Sequence, residues 1–239
     1  MKSGFLVRIA RMLLWKPIGL VLSLAGSNVK RVIKRRVLFF LSKLGFSNSL
    51  NRMDLKILDF FSGKKGVFLE VGAADGIDQS NTLVLERKYG WTGYLVEPIL
   101  EQYNQCKFWR RNSCVDRLIF TSTENYRRNK YLSIKAESLE SSVAASDESS
   151  HTDSFEMVET ISLDEYFRQR KINQVDIFSL DVEGYEIEVL DGYSSDSGVI
   201  SYMLVETWDR VRFQEYAENR GWEYIKHFGN HDYLYKIRV

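Results

Sequence analysis

Residues 67–76, VFLEVGAADG, constrain this chain more than any other stretch. Val67, Phe68, Leu69 and Val71 suit a buried strand, and the run stops at Gly72, two alanines, Asp75 and Gly76. A polar, helix-compatible segment begins near Asp78 and Ser80. The pattern predicts a strand, a tight small-residue turn and a helix. In an open α/β sheet such a turn lies at the carboxyl end of the strand, where ligands bind. Glycine admits positive φ and lets a ligand approach the backbone, and the amino end of the helix offers unpaired N–H groups. Glu70 sets this turn apart from a dinucleotide-binding one. A carboxylate there repels a pyrophosphate but suits a ligand that carries positive charge.

The rest of the chain supplies a sheet around that strand. A helix over 54–61 leads into it, and an amphipathic helix over 80–89, capped by Ser80, follows the turn. Next come a strand at 94–98, a helix at about 99–111 and a strand at about 115–121. Residues 122–154 are the least regular, and their Ser- and acid-rich part, ESLESSVAASDESSHTDS, reads as a mobile loop. A short strand (157–162), a helix (163–170), a buried strand ending in acids (176–184) and a short helix (185–191) follow. A strand at 200–206, a helix at 209–220 and two strand-like runs at 222–228 and 232–238 complete the pattern. Alternating strands and helices imply a doubly wound, Rossmann-like α/β sheet, largely parallel, to which the closing hairpin adds an antiparallel strand.

Charge divides the chain in two. Residues 1–53 hold eleven Lys or Arg and no acid, whereas the remainder holds 22 basic against 32 acidic residues, a net of −10. The acidic body argues against nucleic acid as a partner. A helical extension over 1–53 and a catalytic-size domain over 54–239 follow from this division. The apolar run at 5–26 is broken by Arg8, Arg11, Lys16 and Pro17, too often for a spanning helix. Those charges lie within the run, unlike a secretory signal. Residues 28–44 read as a basic amphipathic helix, which suits either the membrane interface or packing on the body. Peripheral membrane contact through residues 1–45 is the preferred expectation. Two cysteines, Cys106 and Cys114, form no metal or redox motif and point to a reducing, cytoplasmic setting, possible membrane contact being on its inner face.

Four strands end in acid: Glu70, Glu97, Asp181 with Glu183, and Glu206. Strand ends of a doubly wound sheet converge on one crevice, so these groups are expected to border one pocket. Glu97, 25 residues beyond Gly72, suits the two hydroxyls of a ribose. S-adenosylmethionine carries a ribose, an ammonium and a sulfonium but no phosphate, and it fits Glu70, the small residues and Glu97 together. The competing reading is that each carboxylate caps a helix or pairs with Lys or Arg.

The segments FLEVGAADGIDQSNTLVLE, GWTGYLVEP, TISLDEYF, VDIFSLDVEGYEIEVLDGY and GNHDYLY together resemble the FkbM family of methyltransferases. The resemblance runs from about residue 55 to the end and leaves the basic arm uncovered. It implies a class I methyltransferase fold of seven strands, S-adenosylmethionine as donor and O-methylation of a hydroxyl. Similar proteins act on sugars and polyketide-type molecules, so a sugar, glycan or related metabolite is the expected acceptor. By position, Glu70, Gly72, Ala73, Asp75 and Gly76 match the cofactor turn, Glu97 the ribose contact, and Asp181, Glu183 and Gly184 the signature after the fourth strand. The stretch around Thr121 and Ser122 departs from the common pattern, lacking the acid many methyltransferases place by the adenine.

Methyl transfer is an in-line displacement, and holding acceptor oxygen, methyl and sulfur in line can contribute roughly 7–11 kcal/mol. A hydroxyl acceptor must also lose a proton, so a base near the methyl helps. Asp181 is the first candidate and Glu183 the second. The alternatives are that Asp181 orients the cofactor or that the pair holds a divalent metal. Two other functions compete: a nucleotide-dependent oxidoreductase, disfavoured by Glu70 and the missing GxGxxG loop, and a non-catalytic adaptor on a membrane. His151, His227 and His231 read as surface positions, and Trp91, Trp109, Trp208 and Trp222 as core or rim.

Overall fold

The computed structural model describes residues 27–135, 143–144, 155–229 and 231–238. The apolar run at 5–26, most of the Ser-rich stretch with His151, and Asn230 of the hairpin turn lie outside the described residues. Chain order begins with α1 (Ser27–Leu44), a 3-10 turn (Leu50–Arg52), α2 (Met53–Phe60), β1 (Val67–Val71), α3 (Leu83–Tyr89) and β2 (Thr92–Val96). It continues with α4 (Leu100–Trp109), β3 (Cys114–Asp116), β4 (Ile119–Phe120), α5 (Thr123–Arg128), β5 (Tyr131–Lys135) and β6 (Val143–Ala144). Then come β7 (Phe155–Ile161), α6 (Leu163–Arg170), β8 (Gln174–Leu180), α7 (Glu186–Leu190) and β9 (Val199–Glu206). The described chain finishes with α8 (Arg210–Asn219), β10 (Glu223–His227) and β11 (Asp232–Lys236).

Seven strands form the main sheet in the order β10-β11-β9-β8-β1-β2-β3. Pairs within β3-β2-β1-β8-β9 are parallel, while β11 is antiparallel to both β9 and β10. Only β11 therefore runs against the rest, as the doubly wound reading with a closing hairpin expects. Strand order reverses between β1 and β8, so their carboxyl ends flank the switch point where a ligand crevice opens.

Period-two alternation sorts the core into two layers. Phe68 of β1, Ile177 of β8, Leu204 of β9 and Leu234 of β11 face Met53, Ile57 and Leu58 of α2 and Leu85 of α3. Leu69, Val71, Phe178, Leu180, Met203 and Val205 face the opposite layer, with Phe167 of α6, Val189 of α7 and Phe213 of α8. Glu70, Glu206 and Asp232 fall on the same parity as the first set. The chemistry that sits in the strands thus belongs to the face covered by α2 and α3.

Three expectations change. The single strand at about 115–121 is two: β3 stays in the main sheet, while β4 pairs in parallel with β7. Arg117 sits at the break, where its guanidinium bonds the Pro98 carbonyl and pairs with Glu156 of β7. In the stretch read as irregular, β5 pairs antiparallel with both β6 and β7, giving a second sheet in the order β4-β7-β5-β6. Leu132 and Ile134 alternate along β5 and pack on Ile119 and Val158, a small separate core. The helix after the turn starts at Leu83 rather than residue 80, and Ser80 Oγ still accepts from the Leu83 and Thr82 N–H groups. Among the described residues no helix is long and apolar enough to cross a membrane.

Gly72, the residue after β1, packs against Asp181, the residue after β8. Its φ is +81°, and a Cβ added there would lie 1.9 Å from the Asp181 carbonyl oxygen. Gly72→Ala should therefore destabilise the fold by at least the roughly 1–3 kcal/mol of an overpacked site. Urea unfolding should show a lowered midpoint at unchanged slope.

Candidate active site

From Gly72 to Leu83 most of the turn's N–H groups are bonded within the protein itself. The Gly72 and Ala73 N–H groups donate to the Val96 carbonyl, and that of Gly76 to Ala73. The Ala74 N–H donates to Glu97 Oε2 at 2.8 Å, and those of Ile77 and Asp78 to Asp75 Oδ1, each at 2.8 Å. The Asn81 N–H donates to Glu70 Oε1 at 2.8 Å. A phosphate at this turn would need these donors free. They are committed, so these N–H groups form no anion cradle, which fits a cofactor without phosphate.

Glu70 is buried, and its oxygens serve the loop. Ser80 Oγ and Thr82 Oγ1 donate to Oε2, which lies 3.6 Å from Arg110 Nη1. Arg110 has no solvent exposure. Its guanidinium bonds the Gly76 carbonyl, Ser80 Oγ, Thr82 Oγ1 and, at 2.8 Å, Glu86. The competing reading of Glu70, a carboxylate paired with an arginine and capping local N–H groups, describes these contacts. Arg110 escaped the sequence reading. Its only signal is indirect: a buried strand carboxylate needs a cation somewhere.

Glu97, at the end of β2, binds the turn to its own strand. Oε1 accepts from the Ile99 N–H at 2.9 Å while Oε2 holds Ala74. Burial, above all, pushes its carboxyl up to about 7, with the charges of Asp75 and Glu156 adding. Each carboxylate oxygen retains a lone pair, enough for two ribose hydroxyls.

A second group of acids gathers beyond β8. Asp181 is half-buried there, its N–H bonded to the Val71 carbonyl. Loss of water raises its carboxyl to about 8, assisted by the charges of Glu206, Glu183, Glu186 and Asp232. Glu206 is pushed up to about 6, first by burial and then by Asp232, and it hydrogen-bonds Asp181. Asp232 stands opposite Glu206 in the β9–β11 register. Glu183 is exposed, with φ +52°, and Gly184 beside it has φ +96° with open space where a Cβ would sit.

The acids fall into two groups, Glu70, Asp75 and Glu97 around the turn with Gly72, Ala73 and Gly76, and Asp181, Glu183, Glu206 and Asp232 beyond β8, which adjoin where Gly72 meets the Asp181 carbonyl. Among the described residues no three His, Cys, Asp or Glu side chains converge as metal ligands. His231 packs on Trp208, ring centroids 4.0 Å apart, and Trp208 is 67% exposed just past the end of β9. Trp91 and Trp222 are core residues, Trp109 packs on Phe39, and His227 stacks on Tyr233.

A family described as the methyltransferase FkbM domain matches residues 70–230. No curated protein sequence matches the chain. Similar solved structures include a candidate caffeoyl-CoA O-methyltransferase from Staphylococcus aureus, 9% identical over 93% of this chain and 97% of that one, TM-score 0.48. They also include a fibrillarin from Aeropyrum pernix with natively bound S-adenosyl-L-methionine, 14% identical over 73% and 68%, TM-score 0.42. A candidate methyltransferase from Escherichia coli, yhhF, is 13% identical over 81% and 89%, TM-score 0.43.

The raised Asp181 carboxyl has a measurable consequence. Its folded value lies above the ordinary 3.8, so the folded state favours the protonated form. The resulting stability is complete below that ordinary value and is lost as pH rises through about 8. Asp181→Asn should remove this loss, so its urea midpoint relative to wild type should improve between pH 5 and pH 9.

Proposed function

The chain belongs to the FkbM methyltransferase family, and from that premise we propose that it methylates a hydroxyl of a sugar, glycan or related metabolite with Asp181 as general base. Its methyl donor is S-adenosylmethionine. When bound, the donor supplies an electrophilic methyl on a sulfonium. Glu97 receives the ribose hydroxyls, and Gly72 and Ala73 let the ligand approach the backbone. Glu70 acts one step back, by holding Ser80, Asn81 and Thr82 in place.

The observation that carries the O-methyl reading is the Asp181 carboxyl, held near 8 beside Glu206 at the switch point. A carboxylate poised near the working pH can take the acceptor proton as the oxygen attacks the methyl, and that proton can pass on to the Glu206 carboxylate beside it. Glu183, exposed on the same loop, is placed to meet acceptor hydroxyls. Trp208 offers a flat apolar face to the C–H side of a sugar ring, and carboxylates nearby suit its hydroxyls. Asp181→Asn should keep the affinity for S-adenosylhomocysteine within about twofold and lower turnover by roughly 10²–10⁴-fold. The check is calorimetry on the product together with radiolabelled methyl transfer to a panel of cell-surface glycans. Full turnover in the variant would remove Asp181 as the base.

A peripheral membrane site on α1 belongs to the same proposal. Val29, Phe40 and Leu44 are 52%, 63% and 53% exposed along one stripe of the helix, flanked by exposed Lys30, Arg36 and Lys43. A cleft of about 410 Å³ beside it, between α1 and α4, is lined by Val32, Arg35, Arg36, Gln105, Phe108 and Trp109. Apolar stripe, basic rim and an arm free of acid match an anionic bilayer surface. Phe40→Asp should abolish co-sedimentation with phosphatidylglycerol vesicles and leave the affinity for S-adenosylhomocysteine unchanged.

A further inference from the structure

Helix α1 precedes the residues that define the family, yet its polar face is fastened to the cofactor turn. Lys34 Nζ lies 2.5 Å from Asp78 Oδ2, and Arg35 Nε lies 2.5 Å from Asp75 Oδ2. These pairs are unequal. Lys34 and Asp78 are both exposed, and such pairs contribute little. The Arg35 and Asp75 side chains are 16% and 5% exposed, which places their charges in a poorly screened setting. Theirs is a close charge contact rather than an aligned hydrogen bond, Arg35 Nε having no hydrogen-bond partner among the described residues.

Asp75 is the hub of the turn. Its Oδ1 gathers the N–H groups of Ile77 and Asp78 while Oδ2 faces Arg35. The residues on either side are left-handed, Ala74 at φ +47° and Gly76 at φ +75°. For a residue with a Cβ such as Ala74, that conformation persists only when neighbouring contacts over-determine it. The Ala74 N–H in turn reaches Glu97. Two buried carboxylates, Asp75 and Glu97, therefore flank one peptide, and Arg35 is the cation paired with the first of them.

We propose that Arg35 is a positioning residue for S-adenosylmethionine: pairing with Asp75, it fixes the corner of the turn so that Glu97 meets the ribose, and α1 thereby completes the cofactor site. The inference rests on the family's methyl donor and on Glu97 as the ribose contact. Docking of α1 does not depend on Arg35. Leu41 is buried, Phe39 packs on Trp109 at 5.0 Å, Arg87 lies over the Phe39 ring at 3.9 Å, and Lys88 bonds the Leu44 carbonyl at 2.9 Å. Loss of the guanidinium should thus loosen the corner without releasing the helix.

The test is calorimetry of the full chain with S-adenosylhomocysteine, alongside thermal melts without ligand. Arg35→Gln should weaken Kd about tenfold, of the order expected for a charge-assisted contact, while Tm falls by no more than about 2 °C. Arg35→Lys should recover most of the affinity. Asp75→Asn should cost far less in the Arg35→Gln background than alone, since the two act as one unit. Kd within twofold of wild type in Arg35→Gln, or fully additive effects, would overturn the proposal while the cofactor assignment stands. Failure of the wild-type chain to bind S-adenosylhomocysteine would overturn both.

Discussion

A guanidinium with no path to water sets the shape of the ligand loop. Arg110 ends α4, and from there it holds Glu86 of α3, sits beside Glu70 of β1 and bonds three points of the loop between them. Burying such a charge is costly, and the cost is offset only when carboxylates and hydrogen bonds surround it. That requirement makes strand, loop and two helices interdependent. A group of this kind can be replaced wholesale by apolar residues at little cost, but it cannot lose one member without leaving a bare charge. The turn after β1 therefore inherits its geometry from a residue at the end of a helix outside it.

Beyond that network the acids divide by how fully they are compensated. Glu70 has an arginine and three donors, and Asp75 has Arg35. Glu97 has two backbone donors, and Asp181 and Glu206 have chiefly each other. The uncompensated end of this series lies across the switch point, at Asp181 and Glu206. A cation arriving beside Asp181 would lower the cost of ionising it and so raise the fraction present as carboxylate.

Much of this was legible in the residues themselves. Alternation along VFLEV, with small residues after it, identifies β1 and its turn, and acids ending β1, β2, β8 and β9 identify the edge of the crevice. The direction of Glu70 was not legible. Its partner lies 40 residues on, within Arg110-Arg111, two adjacent arginines of which one is fully buried and the other exposed. Nothing local separates them; the packing of α4 does. Similarly, the acid-free arm announces an amphipathic helix, but Lys34 and Arg35 occupy the face that looks destined for solvent. Only tertiary structure shows that this face finds Asp78 and Asp75. The small sheet escaped notice because its strands are two to seven residues long and its core is a handful of aliphatic side chains.

The place of β11 has a bearing on how the molecule is made. It lies between β9 and β10, and in the main sheet β10 pairs with β11 alone. On the ribosome β10 emerges first, yet its sheet partner is the strand that follows it. The nascent sheet can grow as far as β9 and must then wait, holding a bare edge until the return strand inserts. Asp232, the neighbour that helps set the charge state of Glu206 and Asp181, arrives with that same strand. A partly synthesised chain can thus form the turn after β1 before it has Asp232, so the set of charges that raises the Asp181 and Glu206 carboxyls is complete only at the step that closes the sheet.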